Sequence, residues 1–168
     1  VVKLLLAYGI DANDVSASDG FTPFHRTLWT NSERHVETMR VFLEDGKVEV
    51  DFVSHVGKTG ALIATELKHT KVLDILLREY GADPNFRNKR GDALVHVAIR
   101  AQDEKTLDML LNNGADITLE DAKGKSCRKI AKQLRSKAVL ERINRAFEEL
   151  NTPNTNDNDR KENSGEEL

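Results

Sequence analysis

The sequence predicts an all-α solenoid built from a row of helix-turn-helix units. One short pattern occurs twice at a fixed distance: Leu76-Leu77 precedes Gly81-Ala82-Asp83, and Leu110-Leu111 precedes Gly114-Ala115-Asp116. The glycines at positions 81 and 114 are 33 residues apart, a period typical of stacked helical repeats. Aromatic residues make up only 5% of the chain. Thin helical layers need few large aromatic side chains, so this composition favours helices over a β-sandwich.

The composition also narrows the classes of function. Cys127 is the single cysteine in 168 residues, which excludes a disulfide within the chain and a cysteine-rich zinc site. A reducing, intracellular compartment, cytoplasmic or nuclear, is therefore expected. The net charge is −3, and residues 151–168 carry five acidic against two basic side chains, so residues 1–150 are formally neutral. Bulk charge thus argues against nucleic-acid binding, and no apolar run is long enough to indicate membrane insertion.

Residues 1–16 match the second half of a repeat. The run from Tyr8 to Asn13 resembles the run from Tyr80 to Asn85 nearly residue for residue. The apolar residues before Tyr8 would form the second helix of a unit whose first half is missing. We therefore expect an exposed apolar face over residues 1–6 and further repeats on the N-terminal side of Val1. The chain begins with Val and not Met, which suits a fragment.

The second unit opens with residues 20–25, G-F-T-P-F-H. Gly20 permits a tight turn, Thr22 supplies a capping oxygen, and Pro23 suits the first helical position, where a missing N–H costs nothing. This run resembles the G-x-T-P-L-H-x-A pattern of the ankyrin repeat family, with phenylalanine at the Leu position. The resemblance implies that His25 forms a hydrogen bond across the repeat turn.

The second unit is longer than the others, because Gly9 and Gly46 are 37 residues apart. We expect the inserted residues in the loop at residues 29–34 and in the turn at residues 47–51. Residues 48–51 alternate between apolar and acidic side chains, so a short strand and a hairpin arm both fit them.

The later units keep parts of the same pattern. The fourth unit retains Gly91 and His96 but has alanine where threonine would cap the helix, so Asp92 is expected to cap it instead. The fifth unit has Arg128 and Lys129 at the Leu and His positions, and such a polar outer face suits a terminal capping repeat. The predicted divisions are residues 1–16 (truncated repeat), 17–53 (repeat with insertion), 54–87, 88–120, 121–150 (capping repeat) and 151–168 (disordered acidic tail).

No catalytic, cofactor or metal site is predicted. Gly57-Lys58-Thr59 resembles the end of a phosphate loop, but Phe52 stands where that loop needs its first glycine. The five histidines show no spacing typical of metal ligands, and His25 and His96 are better explained as residues that brace turns. Cys127 lies at a predicted helix start, where a helix dipole can lower the pKa of a thiol, but no catalytic partner accompanies it in the sequence. We therefore interpret Cys127 as a small residue of the helix.

The ankyrin resemblance implies partner contacts at four positions of each unit: the two residues before the repeat glycine, the residue after it, and the end of the first helix. The early contacts are aromatic and the later ones largely basic, which suits a partner with an apolar anchor and an acidic stretch. A charged helical surface of no special function would show a similar mixture. The implied contact residues are Ser18, Asp19, Phe21, Trp29, His55, Val56, Lys58, Glu66, Lys89, Arg90, Asp92, Arg100, Ala122, Lys123 and Lys125.

The predicted function is a non-enzymatic scaffold that binds a protein or peptide along its fingers and inner helices. One alternative is an inhibitor resembling the ankyrin inhibitors of NF-kappa-B transcription factors, including viral or parasite mimics. Another is a structural segment of a larger multidomain protein.

Overall fold

Nine helices form two rows in the part of the chain that the structure describes. A computed structural model describes residues 2–9, 11–46 and 48–151. Within these ranges no β-strand forms, although isolated bridges join Arg87 to Ala93 and Glu120 to Ser126. The predicted all-α fold is confirmed. The helices are α1 (Val2–Ala7), α2 (Pro23–Thr27), α3 (Glu33–Glu44), α4 (Gly60–Glu66), α5 (Thr70–Arg78), α6 (Leu94–Arg100), α7 (Glu104–Asn112), α8 (Cys127–Leu134) and α9 (Lys137–Asn151).

Consecutive helices pack in pairs, and the pairs stack along the chain. Helices α4, α6 and α8 contact one another in that order, and α5, α7 and α9 do the same. The pairs α2–α3, α4–α5, α6–α7 and α8–α9 connect the two rows, and α1 packs against α3. We call α2, α4, α6 and α8 the inner row, and α1, α3, α5, α7 and α9 the outer row. This arrangement is a helical solenoid.

The core runs along the stack because each helix pair contacts only its neighbours. Leu28, Leu73, Leu107 and Ile143 come from successive helix pairs and are fully buried. Full burial of such a side chain contributes about 1.5–3 kcal/mol to stability. Gly60 stands where the repeat pattern has proline, and a Cβ there would lie 3.1 Å from Leu28. The first two inner helices therefore approach closely at this glycine.

Side-chain caps begin three of the four inner helices. The hydroxyls of Thr22, Thr59 and Ser126 accept the backbone N–H of the residue three positions later, at 3.3, 3.3 and 3.4 Å. The expected cap from Asp92 is wrong. Helix α6 begins after Ala93, whose N–H donates instead to Nδ1 of His96 at 3.0 Å, because this imidazole lies directly over the helix start.

The two pattern histidines brace the turns that follow them, as predicted. Nε2 of His25 donates to the carbonyl of Phe52 at 3.1 Å, and Nε2 of His96 donates to the carbonyl of Leu119 at 3.0 Å. Each imidazole thus joins the start of one inner helix to the chain leading into the next unit. Both rings are fully buried, and burial lowers the pKa of each below its ordinary value, which favours the neutral imidazole.

The inserted residues of the second unit fall partly where expected. Five residues separate α2 from α3, against three between α4 and α5. The expected longer turn at residues 47–51 is wrong: Glu44 and the next cap, Thr59, are 15 residues apart, as are Arg78 and Ala93. The remaining insertion lengthens α3 to 12 residues, against nine in α5. Residues 48–51 form a turn and not a strand.

Three predictions concern the ends of the chain and Cys127. Most side chains of the predicted exposed apolar face at residues 1–6 and nearly all of the tail lie outside the part of the chain that the structure describes, although Asn151 ends α9. Leu6, the one apolar side chain of that face which is described, is buried and not exposed. Cys127 begins α8, but its side chain is fully buried. Burial raises the pKa of the Cys127 thiol to about 12, which agrees with the interpretation of Cys127 as a small residue of the helix. Desolvation of the thiolate outweighs the dipole here.

Candidate protein interface

Four turns, which we call fingers, precede the inner helices. Each finger has a glycine in the left-handed region, at Gly20, Gly57, Gly91 and Gly124, with φ between 65° and 81°. This conformation strains any residue with a Cβ, which explains glycine at each position. Neighbouring inner helices therefore present the same backbone shape at their N-terminal ends.

A polar side chain three residues before the glycine stabilises each of the last three fingers. Ser54 Oγ accepts the N–H of Lys58 at 3.1 Å, and Asn88 Oδ1 accepts those of Arg90 and Asp92 at 2.9 and 3.1 Å. In the last finger, Asp121 Oδ1 accepts the N–H groups of Lys123 and Lys125, both at 2.8 Å. These bonds fix the finger backbone and therefore define the positions from which its side chains project.

Neighbouring fingers are also bonded to each other. The N–H of His55 donates to the carbonyl of Gly20 at 3.0 Å, and Nζ of Lys89 donates to the carbonyl of His55 at 2.5 Å. Nη1 of Arg87 donates to the carbonyl of Glu120 at 2.9 Å. His55 and Lys89, both expected to contact a partner, therefore already hold adjacent fingers together.

One contact recurs in every unit and joins the finger to the end of its inner helix. It connects the residue after the finger glycine with the residue eight positions later, and we call these contacts the finger–helix pairs. Most of the predicted contact residues at these two positions thus meet one another. The four pairs are Phe21–Trp29, Lys58–Glu66, Asp92–Arg100 and Lys125–Gln133.

The first pair is aromatic. The rings of Phe21 and Trp29 meet edge to face, with centroids 5.2 Å apart and an angle of 83° between their planes. The guanidinium of Arg26 lies 5.6 Å from the centre of the Trp29 ring and pairs with Asp19 at 2.7 Å. Trp29 is nevertheless 43% exposed. A large ring that is both exposed and held in place is unusual on a protein surface, and such rings often mark interfaces.

Two open grooves lie side by side along the fingers. The first, the aromatic groove, has a volume of about 430 Å³, and the second, the basic groove, about 250 Å³. Lys58 and Glu66 line both, so the second finger–helix pair divides them. The aromatic groove is lined by Phe21, Trp29, Lys58, Ile63, Glu66 and Leu67. The basic groove is lined by Val56, Gly57, Lys58, Leu62, Glu66, Asn88, Lys89 and Arg90.

The third pair is part of an ion triad. Arg100 contacts Asp92 at 3.0 Å and Asp121 of the next finger at 2.6 Å. Only 1% of the Asp121 side chain is exposed. Burial opposes ionisation of Asp121, but the N–H groups of Lys125 and Lys123 and the charge of Arg100 outweigh it and lower the pKa of the carboxyl. Arg100 therefore already has two acidic partners within the chain.

The structure brings together seven of the predicted contact residues along the two grooves: Phe21, Trp29, Val56, Lys58, Glu66, Lys89 and Arg90. Ser18, Ala122 and Lys123 lie exposed on the first and last fingers, outside both grooves. The sequence analysis did not find Leu67, which is 44% exposed, or Arg26 and Gln133. The eight-residue spacing would have indicated Gln133, whereas no pattern distinguishes Leu67 from other apolar residues.

The described residues contain no group of three or more His, Cys, Asp or Glu side chains that could hold a metal ion. No helix in these ranges combines the length and the apolar character needed to cross a membrane. The chemistry available on the finger surface is therefore that of aromatic contacts, hydrogen bonds and ion pairs.

Comparison with known protein families agrees with this architecture. A family model described as ankyrin repeats (3 copies) matches residues 31–121, more than half of the chain. The chain belongs to the ankyrin repeat family. Ankyrin repeats are protein-interaction modules.

Several relatives contain a region similar to this ankyrin chain. Human SH3 and multiple ankyrin repeat domains protein 1 is 32% identical over 124 residues, which is 73% of this chain and 6% of the relative. The inactive serine/threonine-protein kinase TEX14 of Bos taurus is 40% identical over 79 residues, 47% of this chain and 5% of the relative. Palmitoyltransferase AKR1 of Lachancea kluyveri is 27% identical over 140 residues, 83% of this chain and 19% of the relative. The chain thus spans less than a fifth of each of these proteins.

Proposed function

We propose that this chain is a non-enzymatic scaffold that binds a protein or peptide along its fingers and inner row, the concave side of the ankyrin solenoid. The observation that carries the proposal is the aromatic groove. Trp29 is 43% exposed at its edge, while Phe21 and Arg26 hold the ring in place. A side chain that is already ordered loses little conformational entropy on binding, so a rigid tryptophan is an efficient anchor.

The partner has an apolar side chain that enters the aromatic groove, followed by acidic residues. Arg90 and Lys123 support the acidic part, because their side-chain nitrogens make no hydrogen bond or ion pair with other described residues. Lys58 and Arg100 contribute less net charge, since each is paired with an acidic side chain. The acidic part of the partner therefore lies near the finger tips, where pairing with the exposed cations steers association.

The non-enzymatic part of the proposal is supported by the burial of the side chains that could act in catalysis. Burial raises the pKa of the Cys127 thiol to about 12, which disfavours a nucleophilic thiolate. His25 and His96 are buried, and their ring nitrogens are engaged in the turns. One similar protein is named a palmitoyltransferase, but the matched region is 19% of its length.

A second candidate is that this scaffold is one segment of a larger protein. The small fraction of each relative that the chain spans favours this reading, between 5% and 19%. In that case the finger surface would bind either another domain of the same protein or a separate partner.

The test is an affinity capture from cell lysate with three tagged chains: the wild type, Trp29→Ala and Lys71→Ala. Lys71 pairs with Glu33 between outer helices and serves as a control of similar exposure. Proteins held by the wild type and by Lys71→Ala, but lost by Trp29→Ala, would support the proposal. Equal capture by all three folded chains would contradict it.

A captured protein can then be titrated against the wild type while tryptophan fluorescence is recorded. Trp29 is the single tryptophan, so its emission reports directly on this groove. The proposal expects a saturable shift to shorter wavelength as the ring leaves water. Binding with no change in emission would place the contact elsewhere.

A further inference from the structure

The third and fourth fingers lie against each other and together form a basic surface. Nη1 of Arg87 donates to the carbonyl of Glu120 at 2.9 Å, and Cβ of Ala122 lies 3.3 Å from the place where a Cβ on Gly91 would stand. We call residues 87–92 and 120–125 the finger-tip patch. The patch carries three acidic side chains and five basic ones, which are Arg87, Lys89, Arg90, Lys123 and Lys125.

The five cations of the finger-tip patch have no carboxylate partner among the described residues. Those that form hydrogen bonds donate to carbonyl or side-chain amide oxygens, which leave the positive charge uncompensated. The side-chain nitrogens of Arg90 and Lys123 form no such bond in this part of the chain, and both side chains are exposed. Two of the three acids, Asp92 and Asp121, pair instead with Arg100. The patch can therefore accept carboxylates without breaking an ion pair.

The sequence that follows α9 has the opposite charge. Residues 152–168 carry two basic side chains and five acidic ones, which are Asp157, Asp159, Glu162, Glu166 and Glu167. Attraction between charges acts over about 8 Å at physiological ionic strength. Residues 157–167, which we call the acidic segment, are therefore attracted to the finger-tip patch if they can come that close.

The end of α9 lies near the fourth finger, so the acidic segment starts close to the patch. Leu150 in the last turn of α9 and Ile117, which leads into the fourth finger, line one cavity of about 200 Å³. Ile117 and Lys123 are six residues apart, at most about 20 Å along an extended chain. Asp157 follows Asn151 by six residues and can span the same distance. The other four acids lie further along the chain and can therefore reach both fingers.

We propose that the acidic segment binds the finger-tip patch of its own chain and competes there with acidic residues of a partner. Exposed ion pairs are individually weak. A segment on the same chain, however, has an effective concentration of roughly a millimolar, so several weak pairs are enough for partial occupancy. The docking of the segment does not depend on the function proposed for the fingers, whereas the competition rests on it.

The docking is tested by NMR on the isotopically labelled full chain with Ser164→Cys carrying a nitroxide, which broadens the signals of nearby amides. Cys127 is fully buried and does not take up the label. The matched control carries the same nitroxide and has Asn or Gln in place of the five acids of the segment, so the length is unchanged. The acidic segment should broaden the backbone signals of Arg90 and Lys123 more than the neutral segment does. Salt at about 0.5 M should remove this difference, because it screens the attraction.

Three results would overturn the docking. Equal broadening by the two segments would show that attachment to α9 alone brings the nitroxide near the fingers. Stronger broadening by the acidic segment at residues outside the patch would place its contact elsewhere. Broadening that persists when the nitroxide and the isotope are on different molecules would assign the contact to a second copy of the chain.

The competition is tested with the capped peptide acetyl-Gly-Glu-Glu-Glu-Glu-Gly-amide, titrated into chains without nitroxide while the Arg90 and Lys123 signals are followed. The chain with the neutral segment should bind this peptide about threefold more tightly, because the internal competitor is gone. The double variant Arg90→Gln, Lys123→Gln changes two exposed side chains and should abolish this difference. A difference that survives in the double variant would come from net charge alone and would overturn the competition.

The same titration separates the failure of this inference from the failure of the proposed function. Equal affinity of the peptide for chains with the acidic and the neutral segment would overturn the competition, even where the docking is observed. If the peptide binds neither chain at the fingers, the acidic part of the proposed partner is wrong and the competition fails with it. The broadening experiment then still decides whether the segment docks.

Discussion

The first and third finger–helix pairs occupy equivalent positions in their repeats, but the first is exposed and the third is bonded to the next finger. Phe21 and Trp29 contact each other and still leave the indole 43% exposed beside an open groove. Asp92 and Arg100 contact each other and also Asp121 of the next finger, whose side chain is 1% exposed. The first pair faces outward and the third ties two units together.

The difference shows that position in the repeat defines where a side chain lies, but not what it does there. The same backbone geometry brings residues eight positions apart into contact in all four units. The identity of the two side chains then decides between an exposed apolar surface and an internal ion pair. We therefore expect changes in the first pair to affect binding, and changes in the third pair to affect stability.

The largest expected effect concerns Cys127, which is fully buried at the start of α8, directly after the finger that contains Asp121. With a thiol pKa of about 12, reaction with a thiol reagent at pH 8 should be about a thousandfold slower in the folded chain than in urea. Arg100→Met should speed the folded reaction at least about tenfold, because it weakens the link to Asp121 and favours local opening. Trp29→Ala should leave the rate unchanged. Rapid reaction of the folded wild type would contradict the burial of the Cys127 thiol.

Arg100→Met should lower the free energy of unfolding by about 2 kcal/mol, since hydrogen bonds to charged groups contribute about this much. Urea denaturation monitored by circular dichroism measures it. Trp29→Ala is the matched control and should change stability by less than about 1 kcal/mol, because the ring is partly exposed. Similar losses for both variants would remove the distinction between the two pairs.

The pH dependence of stability tests whether the early repeat with His25 and the later repeat with His96 are stabilised in the same way, although their surfaces differ. His25 and His96 both have folded pKa values lowered by burial, so the unfolded chain takes up protons first as the pH falls. Stability should therefore be steady above about pH 7 and decrease as the pH drops through 6.5. Asp51 acts in the opposite direction, because burial raises the pKa of its carboxyl above the ordinary value.

Urea denaturation at pH 7.5 and pH 5.5 checks this behaviour. His25→Gln and His96→Gln should each lose part of the pH dependence, whatever their effect at neutral pH. If only one of the two variants loses pH dependence, the two repeats are stabilised in different ways.

The smallest expected effect is that of the second pair. Lys58 and Glu66 have side chains 35% and 34% exposed, so their attraction is screened by water and salt. Lys58→Met should change the free energy of unfolding by less than about 0.5 kcal/mol. The side chains of Asp92 and Asp121, by contrast, are only 14% and 1% exposed. A loss as large as that in Arg100→Met would show that burial of the acidic partners does not separate the two ion pairs.

Much of the repeat architecture could be predicted from the sequence, because the residues that stabilise its turns and helix ends act locally. The glycines, the capping residue Thr22 and the bracing histidines act within a few positions of where they stand, so the repeat pattern indicates them directly. The surface could not be predicted as well. Whether Arg100 is available to a partner depends on Asp121, which belongs to another finger 21 residues away.

Other details depend on packing between units. Leu67 is exposed, and Arg26 contacts the Trp29 ring, because of where neighbouring helices end. The helical periodicity of the sequence does not predict either feature. The burial of Cys127 similarly depends on the layers around it, which outweigh the helix dipole at its position. Sequence reasoning therefore indicated a candidate surface but could not predict which of its side chains brace the fold and which remain exposed.

The most direct test is to measure the dissociation constant of one purified partner for the wild type, Trp29→Ala and Arg100→Met, after checking that all three are folded. Trp29→Ala should weaken binding at least about thirtyfold, as for an interface hot spot, whereas Arg100→Met should stay within about threefold of the wild type. A larger loss in folded Arg100→Met than in Trp29→Ala would contradict the assignment of the first pair to binding and the third pair to structure.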